Sequence, residues 1–176
     1  MKKNSFKNNL GFTLVELMVA ISIIGILSAI VYANFGEARK AARDDVRKTS
    51  LKDLQLAIEL YKAQNGVYPA QGNAAAWSGG TSGSYSAGAN YIVGLVPDYI
   101  AALPFDPSPT PADRGIIYRT NGTDYKLLVY GTVESKRVID YNDEFARCPS
   151  TNALGCTLAV PPTTTYGVYS AGAATW

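Results

Sequence analysis

Apolar residues do not alternate with polar ones between residues 12 and 36; they fill the chain. The run FTLVELMVAISIIGILSAIVYANF, Phe12 to Phe35, holds a single charge, Glu16. It is long enough to cross a bilayer, which takes roughly 20 apolar residues. Beyond Gly36 the pattern changes. Leu51, Leu54, Ile58 and Tyr61 recur at spacings of three and four, the single stripe of an amphipathic helix over residues 37–65. Leu56 and Leu60 are read as widening that stripe, with Arg43, Arg47, Lys48, Lys52 and Glu59 on the solvated side. No proline precedes Pro69, and Gly25 and Gly36 each weaken a helix by only about 1 kcal/mol relative to Ala. Asn65-Gly66 followed by Pro69 is a stop signal. The pattern predicts one helix from Phe12 to Asn65.

The rest of the chain has strand and turn periodicity. Residues 70–90 are uncharged and rich in Gly, Ala and Ser, a loop signature. Residues 91–104 read as a short helical or irregular covering segment ending at Pro104. Ile116 to Arg119 and Tyr125 to Tyr130 flank Asn121-Gly122, a hairpin turn pair. Asn121-Gly122-Thr123 also matches the N-glycosylation acceptor pattern, but the turn is the preferred reading. A third strand is expected from Val133 to Tyr141 and a fourth in the C-terminal TYGVYS. One helix face laid on three or four antiparallel strands makes an α+β fold.

Charge adds orientation. The 176-residue chain carries a net +2, too small a field to point to a nucleic-acid partner. Residues 1–11 contain Lys2, Lys3 and Lys7 and no acid. Positive residues beside a spanning helix stay cytoplasmic. A carboxylate inside the apolar run costs on the order of 2.5–3.5 kcal/mol, so Glu16 needs a partner or a job. Cys148 and Cys156 read as a disulfide if this part is exported. A zinc pair is the alternative, disfavoured because the chain has no His and no further Cys. Without His, no Ser/His/Asp or Cys/His set exists, and nothing points to an enzyme. Asp140, Asn142 and Asp143 form an oxygen-rich cluster that offers a weak calcium candidate or simply a solvated acidic turn.

Gly11-Phe12-Thr13-Leu14-Val15-Glu16, after a Lys-rich leader and before an unbroken apolar helix, closely resembles a prepilin of the type IV pilin and type II secretion pseudopilin superfamily. NGVYP after the helix, and LVPDYIAALPFDP ahead of the hairpin, resemble the major pseudopilin and related pilins. The resemblance implies a division into leader (1–11), transmembrane and filament-core helix (12–36), amphipathic helix (37–65) and globular loop and sheet region (66–176). It implies that a prepilin peptidase cuts between Gly11 and Phe12 and methylates the Phe12 amine. It also implies a calcium site in the C-terminal loop of major pseudopilins. The new amine would lie four residues before Glu16, on the same helix face, and could pair with Glu16 of its own chain or a neighbour. Gly25, Ala29 and Ala33 recur every four residues, a small-residue face for close helix packing.

The expected protein is a structural subunit of an extracellular helical filament, type IV pilus-like. Membrane machinery would assemble it from single-pass precursors in the bilayer. A major pseudopilin of a type II secretion system, working in the periplasm, is the alternative. A secreted binding or adhesin domain is the rival from another class, since Val31-Tyr32-Ala33 offers a conventional signal-peptide site.

Overall fold

A computed structural model describes residues 11–73, 77–79, 88–108, 114–135, 143–149, 164–174 and 176. The chain divides into two compact units, Met1–Arg39 and Lys40–Trp176. Helix α1, Leu14–Asn65, contributes to both. Strands β1 (Ser78–Gly79), β2 (Gly115–Thr120), β3 (Tyr125–Tyr130) and β4 (Tyr166–Tyr169) form one antiparallel sheet in the order β1-β2-β3-β4.

In the first unit the helix has no cover. Its apolar side chains from Leu14 to Val31 are exposed on every face, and its best window has a mean hydropathy of 2.6. That length and composition suffice to cross a membrane. Ser22 Oγ donates to the Met18 carbonyl at 2.7 Å, which removes one exposed hydroxyl from the apolar surface. Near the end of the unit the Arg39 guanidinium lies 5.1 Å from the Phe35 ring centroid.

In the second unit α1 packs by one stripe. Leu51, Leu54, Ala57 and Ile58 are buried against Ile116, Tyr118, Tyr125, Leu127, Val129, Tyr166 and Val168. The strand residues alternate as the two-residue period requires, so every second side chain of β2, β3 and β4 meets the helix. Tyr91, Ile92, Leu95 and Leu103, from the irregular covering segment, complete the core. The helix stops where Gly66 takes a φ of +79°, a conformation that disfavours any residue with a Cβ. Gly66 N–H donates to the Lys62 carbonyl at 2.8 Å. The chain then reaches the hairpin: Tyr68 N–H donates to the Gly122 carbonyl at 2.9 Å and the Tyr118 hydroxyl to the Pro69 carbonyl at 2.8 Å. In the β2–β3 turn Asn121 Oδ1 accepts from the amides of Thr123 and Asp124, at 2.9 and 2.7 Å. This is the turn role preferred for Asn121.

Three expectations are corrected. Leu56 and Leu60 do not widen the stripe; they are 63% and 46% exposed, on the opposite side of the helix. Arg47 is not on the solvated face. It sits four residues before Leu51, on the stripe itself, and is fully buried. Val133 to Ser135 is not a strand, and residues 136–141 lie outside the described residues. The place beside β3 is taken by β4, through pairs such as Leu127 with Val168. The loop expected over 70–90 also contains β1, which extends the sheet beyond β2.

Every N–H donor of Arg47 has an acceptor. Nε and Nη2 grip Asp106 at 2.9 and 2.7 Å, and Nη1 donates to Asp44 at 2.7 Å and Glu134 at 3.0 Å. Nη2 also donates to Ser108 Oγ at 2.7 Å. Arg43 adds a second fork onto Glu134. Asp44 in turn accepts from the amides of Glu134 and Ser135, the latter at 2.6 Å. Burial opposes the Arg47 charge, but the hydrogen bond and field of Asp106, then Asp44 and Glu134, outweigh it and raise its pKa. Burial likewise pushes Asp106 up, yet Arg47, the Thr132 hydroxyl and the Ser108 amide bring it below the usual carboxylate range. Arg43 is the main cause that holds Glu134 down at about 2.

Removing one member of a buried ion network leaves charges uncompensated, at about 3–5 kcal/mol. Arg47→Met should therefore destabilise the full chain by about that amount in thermal or urea melts. Leu56→Ser should change stability by no more than about 0.5 kcal/mol. The depressed carboxylates fix the sign with pH. Their contribution is complete above the ordinary Glu value of roughly 4.3 and is lost as pH falls toward about 2. Arg47→Met should flatten that acid limb of the melting curve.

Candidate processing and assembly site

The first turn of α1 contains the residues singled out from sequence. Phe12 is 90% exposed, and a Cβ placed on Gly11 would meet nothing within 4 Å, so the Gly11–Phe12 bond is open to approach. Thr13 precedes the helix. Its amide donates to Glu16 Oε2 at 2.8 Å and its hydroxyl to the same oxygen at 2.7 Å. The Glu16 amide donates back to Thr13 Oγ1 at 3.2 Å, and Leu17 N–H makes the first helical bond, to the Thr13 carbonyl at 3.3 Å. Thr13 and Glu16 thus form a reciprocal capping box, two helix-end amides satisfied by two side chains.

Glu16 therefore has a local partner, Thr13, besides the amine expected at Phe12. The signal was legible: Thr-x-x-Glu just ahead of an apolar run is the capping-box pattern. Only Oε2 is engaged; among the described residues no hydrogen bond reaches Oε1. A cut after Gly11 leaves the Thr13 amide intact, so the box survives processing, while a new amine appears at Phe12.

The other candidate residues fall differently. Gly25 and Ala29 are exposed, and the side chain of Ala33 lies outside the described residues. Cys148 is buried and disulfide-bonded, and its expected partner Cys156 lies outside the described residues. Asp143 Oδ1 accepts from the Phe145 amide at 2.9 Å, a local turn contact. Asp140 and Asn142, the rest of the calcium candidate, are outside the described residues.

An exposed Gly11–Phe12 junction, a capped carboxylate one turn inside and an uncovered apolar helix long enough to cross a membrane thus stand side by side. Residues 6–32 match the family described as the prokaryotic N-terminal methylation motif. The chain is similar to type II secretion system core protein G of Klebsiella pneumoniae, 36% identical over 124 residues, covering 69% of this chain and 75% of that protein. It is similar to the core protein G of Vibrio cholerae, 34% identical over 125 residues, 66% of this chain and 80% of the relative. It is also similar to the type IV wide pilus major component PilA4 of Thermus thermophilus, 42% identical over 62 residues. That match spans 35% of this chain and less than half, 47%, of the relative. No solved structure matches the chain. The chain belongs to the type IV pilin and type II secretion pseudopilin superfamily.

The capping box makes a prediction that does not depend on assembly. Thr13→Val removes the hydroxyl and should weaken the helix start by about 1 kcal/mol, with Thr13→Ser restoring it. Amide hydrogen exchange in detergent micelles should show faster exchange at residues 14–17 in the Val variant only.

Proposed function

We propose that this chain is the structural subunit of a helical filament of the type IV pilus kind, assembled outside the cell from precursors in the cytoplasmic membrane. The observation that carries the reading is the Glu16 carboxylate, capped through Oε2 and open at Oε1, beside an exposed Gly11–Phe12 junction. The Lys-rich leader keeps the N-terminus cytoplasmic. A prepilin peptidase would cut after Gly11 and methylate the Phe12 amine. An incoming subunit would present that amine to Oε1 of Glu16 on its neighbour, so both charges would leave lipid paired. The uncovered apolar half of α1 would then be buried between subunits, with Gly25, Ala29 and Ala33 permitting close approach. Successive head-to-tail contacts of this kind build an open filament. No catalytic role is required of any residue.

A second reading is supported by a specific observation. Two matches that cover about two thirds of the chain, 69% and 66%, are to type II secretion core proteins G. On that reading the filament is a short periplasmic pseudopilus. Cys148 and Cys156 would pair in either case, in the oxidising compartment that receives the globular region. Calcium at Asp140, Asn142 and Asp143 stays a proposal, tested by whether added calcium raises the melting temperature.

Electron microscopy of sheared and intact cells separates the readings. Subunit in long extracellular filaments supports the pilus, and subunit confined to the periplasm supports the secretion apparatus. Glu16→Leu should still insert and be cleaved, yet lower filament yield at least about tenfold, since an unpaired buried charge costs several kcal/mol. Normal filaments from that variant would count against the pairing.

A further inference from the structure

The chain contains the pair Asn-Gly twice, at Asn65-Gly66 and at Asn121-Gly122. In such a pair the next main-chain nitrogen can attack the side-chain amide, because glycine sets no side chain beside it. The two pairs are held differently. At the end of α1 the Gly66 N–H is tied into the helix by its 2.8 Å bond to the Lys62 carbonyl. Asn65 Nδ2 is tied down as well, donating to the Tyr61 carbonyl at 2.9 Å and the Tyr99 hydroxyl at 3.1 Å. Among the described residues no donor reaches Asn65 Oδ1.

In the β2–β3 turn the same groups are arranged for reaction. Asn121 Oδ1 accepts from two main-chain amides, Thr123 at 2.9 Å and Asp124 at 2.7 Å. Two such donors stabilise negative charge that develops on the oxygen. The Gly122 N–H donates to the Thr120 hydroxyl oxygen at 2.9 Å, an acceptor for the proton that this nitrogen must lose. Thr120 Oγ1 in turn donates to the Asp124 carbonyl at 2.9 Å, which orients it. A Cβ placed on Gly122 would meet nothing within 4 Å, so the turn is open around the attacking nitrogen. Asn121 is exposed, and among the described residues its Nδ2 has no hydrogen-bond partner.

We propose that Asn121 is a self-modification site, where the turn promotes deamidation of its own asparagine, while the helix end protects Asn65. The Gly122 nitrogen loses its proton through Thr120 Oγ1 to water, and its electron pair forms a bond to Asn121 Cγ. The carbonyl electron pair moves onto Oδ1, held by the amides of Thr123 and Asp124. Its return breaks the Cγ–Nδ2 bond, and Nδ2 takes a proton from water and leaves as ammonia. Water then opens the cyclic imide at either carbonyl, giving aspartate or isoaspartate at position 121. The net change consumes one water and releases one ammonia, with no oxidation or reduction. The product adds a negative charge to a turn that already holds Asp124. As isoaspartate it also inserts a carbon into the main chain ahead of Gly122, whose carbonyl accepts from the Tyr68 N–H at 2.9 Å. That bond ties the helix exit to the hairpin, so modification marks and loosens an ageing chain at this point.

Incubation of the full chain in neutral detergent and mildly alkaline buffer, folded and in urea, tests the proposal. Peptide mass spectrometry follows the conversion of amide to acid at each asparagine, and chromatography separates isoaspartate from aspartate. Asn121 should react at least as fast in the folded chain as in urea. Asn65 should react at least about tenfold more slowly when folded, because the helix end must first open. Thr120→Val should slow Asn121 at least about tenfold in the folded chain and leave the rate in urea unchanged, with Thr120→Ser restoring it. Slower reaction of Asn121 in the folded chain than in urea would overturn the proposal. So would a folded Asn65 that keeps pace with Asn121, or a folded Thr120→Val chain whose rate is unchanged or raised.

Discussion

The second unit is organised around a cation with no route to water. Arg47 is enclosed, and an isolated guanidinium there would cost several kcal/mol in lost solvation. Its retention requires acceptors from three parts of the chain at once: Asp44 on its own helix, Asp106 and Ser108 after the covering segment, and Glu134 after β3. These contacts fix α1 in rotation and along its axis. One turn further along, the same face is apolar, and Leu51, Leu54 and Ile58 are buried in the core with the sheet. Hydrophobic burial supplies the bulk of the stabilisation. The ion network supplies the register, since a slip of one residue would strand five charges.

The N-terminal unit solves a similar problem with fewer parts. Glu16 is the one charge in an apolar run, and Thr13 meets it with an amide and a hydroxyl while receiving the Glu16 amide in return. The cap starts the helix next to the Gly11–Phe12 junction. It also divides the carboxylate: one oxygen belongs to its own helix, and the other is left for a second cation. A residue with this geometry can stabilise the helix start and, on the function proposed above, also serve as an assembly contact.

Much of this was legible in the chain because its signals are local. The helix stop at Asn65-Gly66, the hairpin around Asn121 and the C-terminal strand each follow from a few neighbouring residues. The errors came where residues far apart in sequence decide the outcome. Charge alone places Arg47 in water, although its spacing from Leu51 puts it on the buried stripe; its partners lie 59 and 87 residues away. Apolarity alone places Leu56 and Leu60 in the core, although their helical angle points them elsewhere. The place beside β3 went to β4 because pairing follows cross-strand fit, which periodicity within one segment does not encode. At the site, Glu16 stands out in the sequence by its charge and Thr13 by its capping-box spacing, whereas the use made of the Gly11–Phe12 junction is read from resemblance.

The central claim is that Glu16 serves a chain whose N-terminus is made by processing. Mass spectrometry of N-terminal peptides from the membrane and sheared-filament fractions tests it most directly. The account predicts leader-bearing precursor in the membrane and only chains beginning at N-methylated Phe12 in filaments. Filaments whose subunits retain Met1, or a mature protein beginning at Asn34, would contradict it.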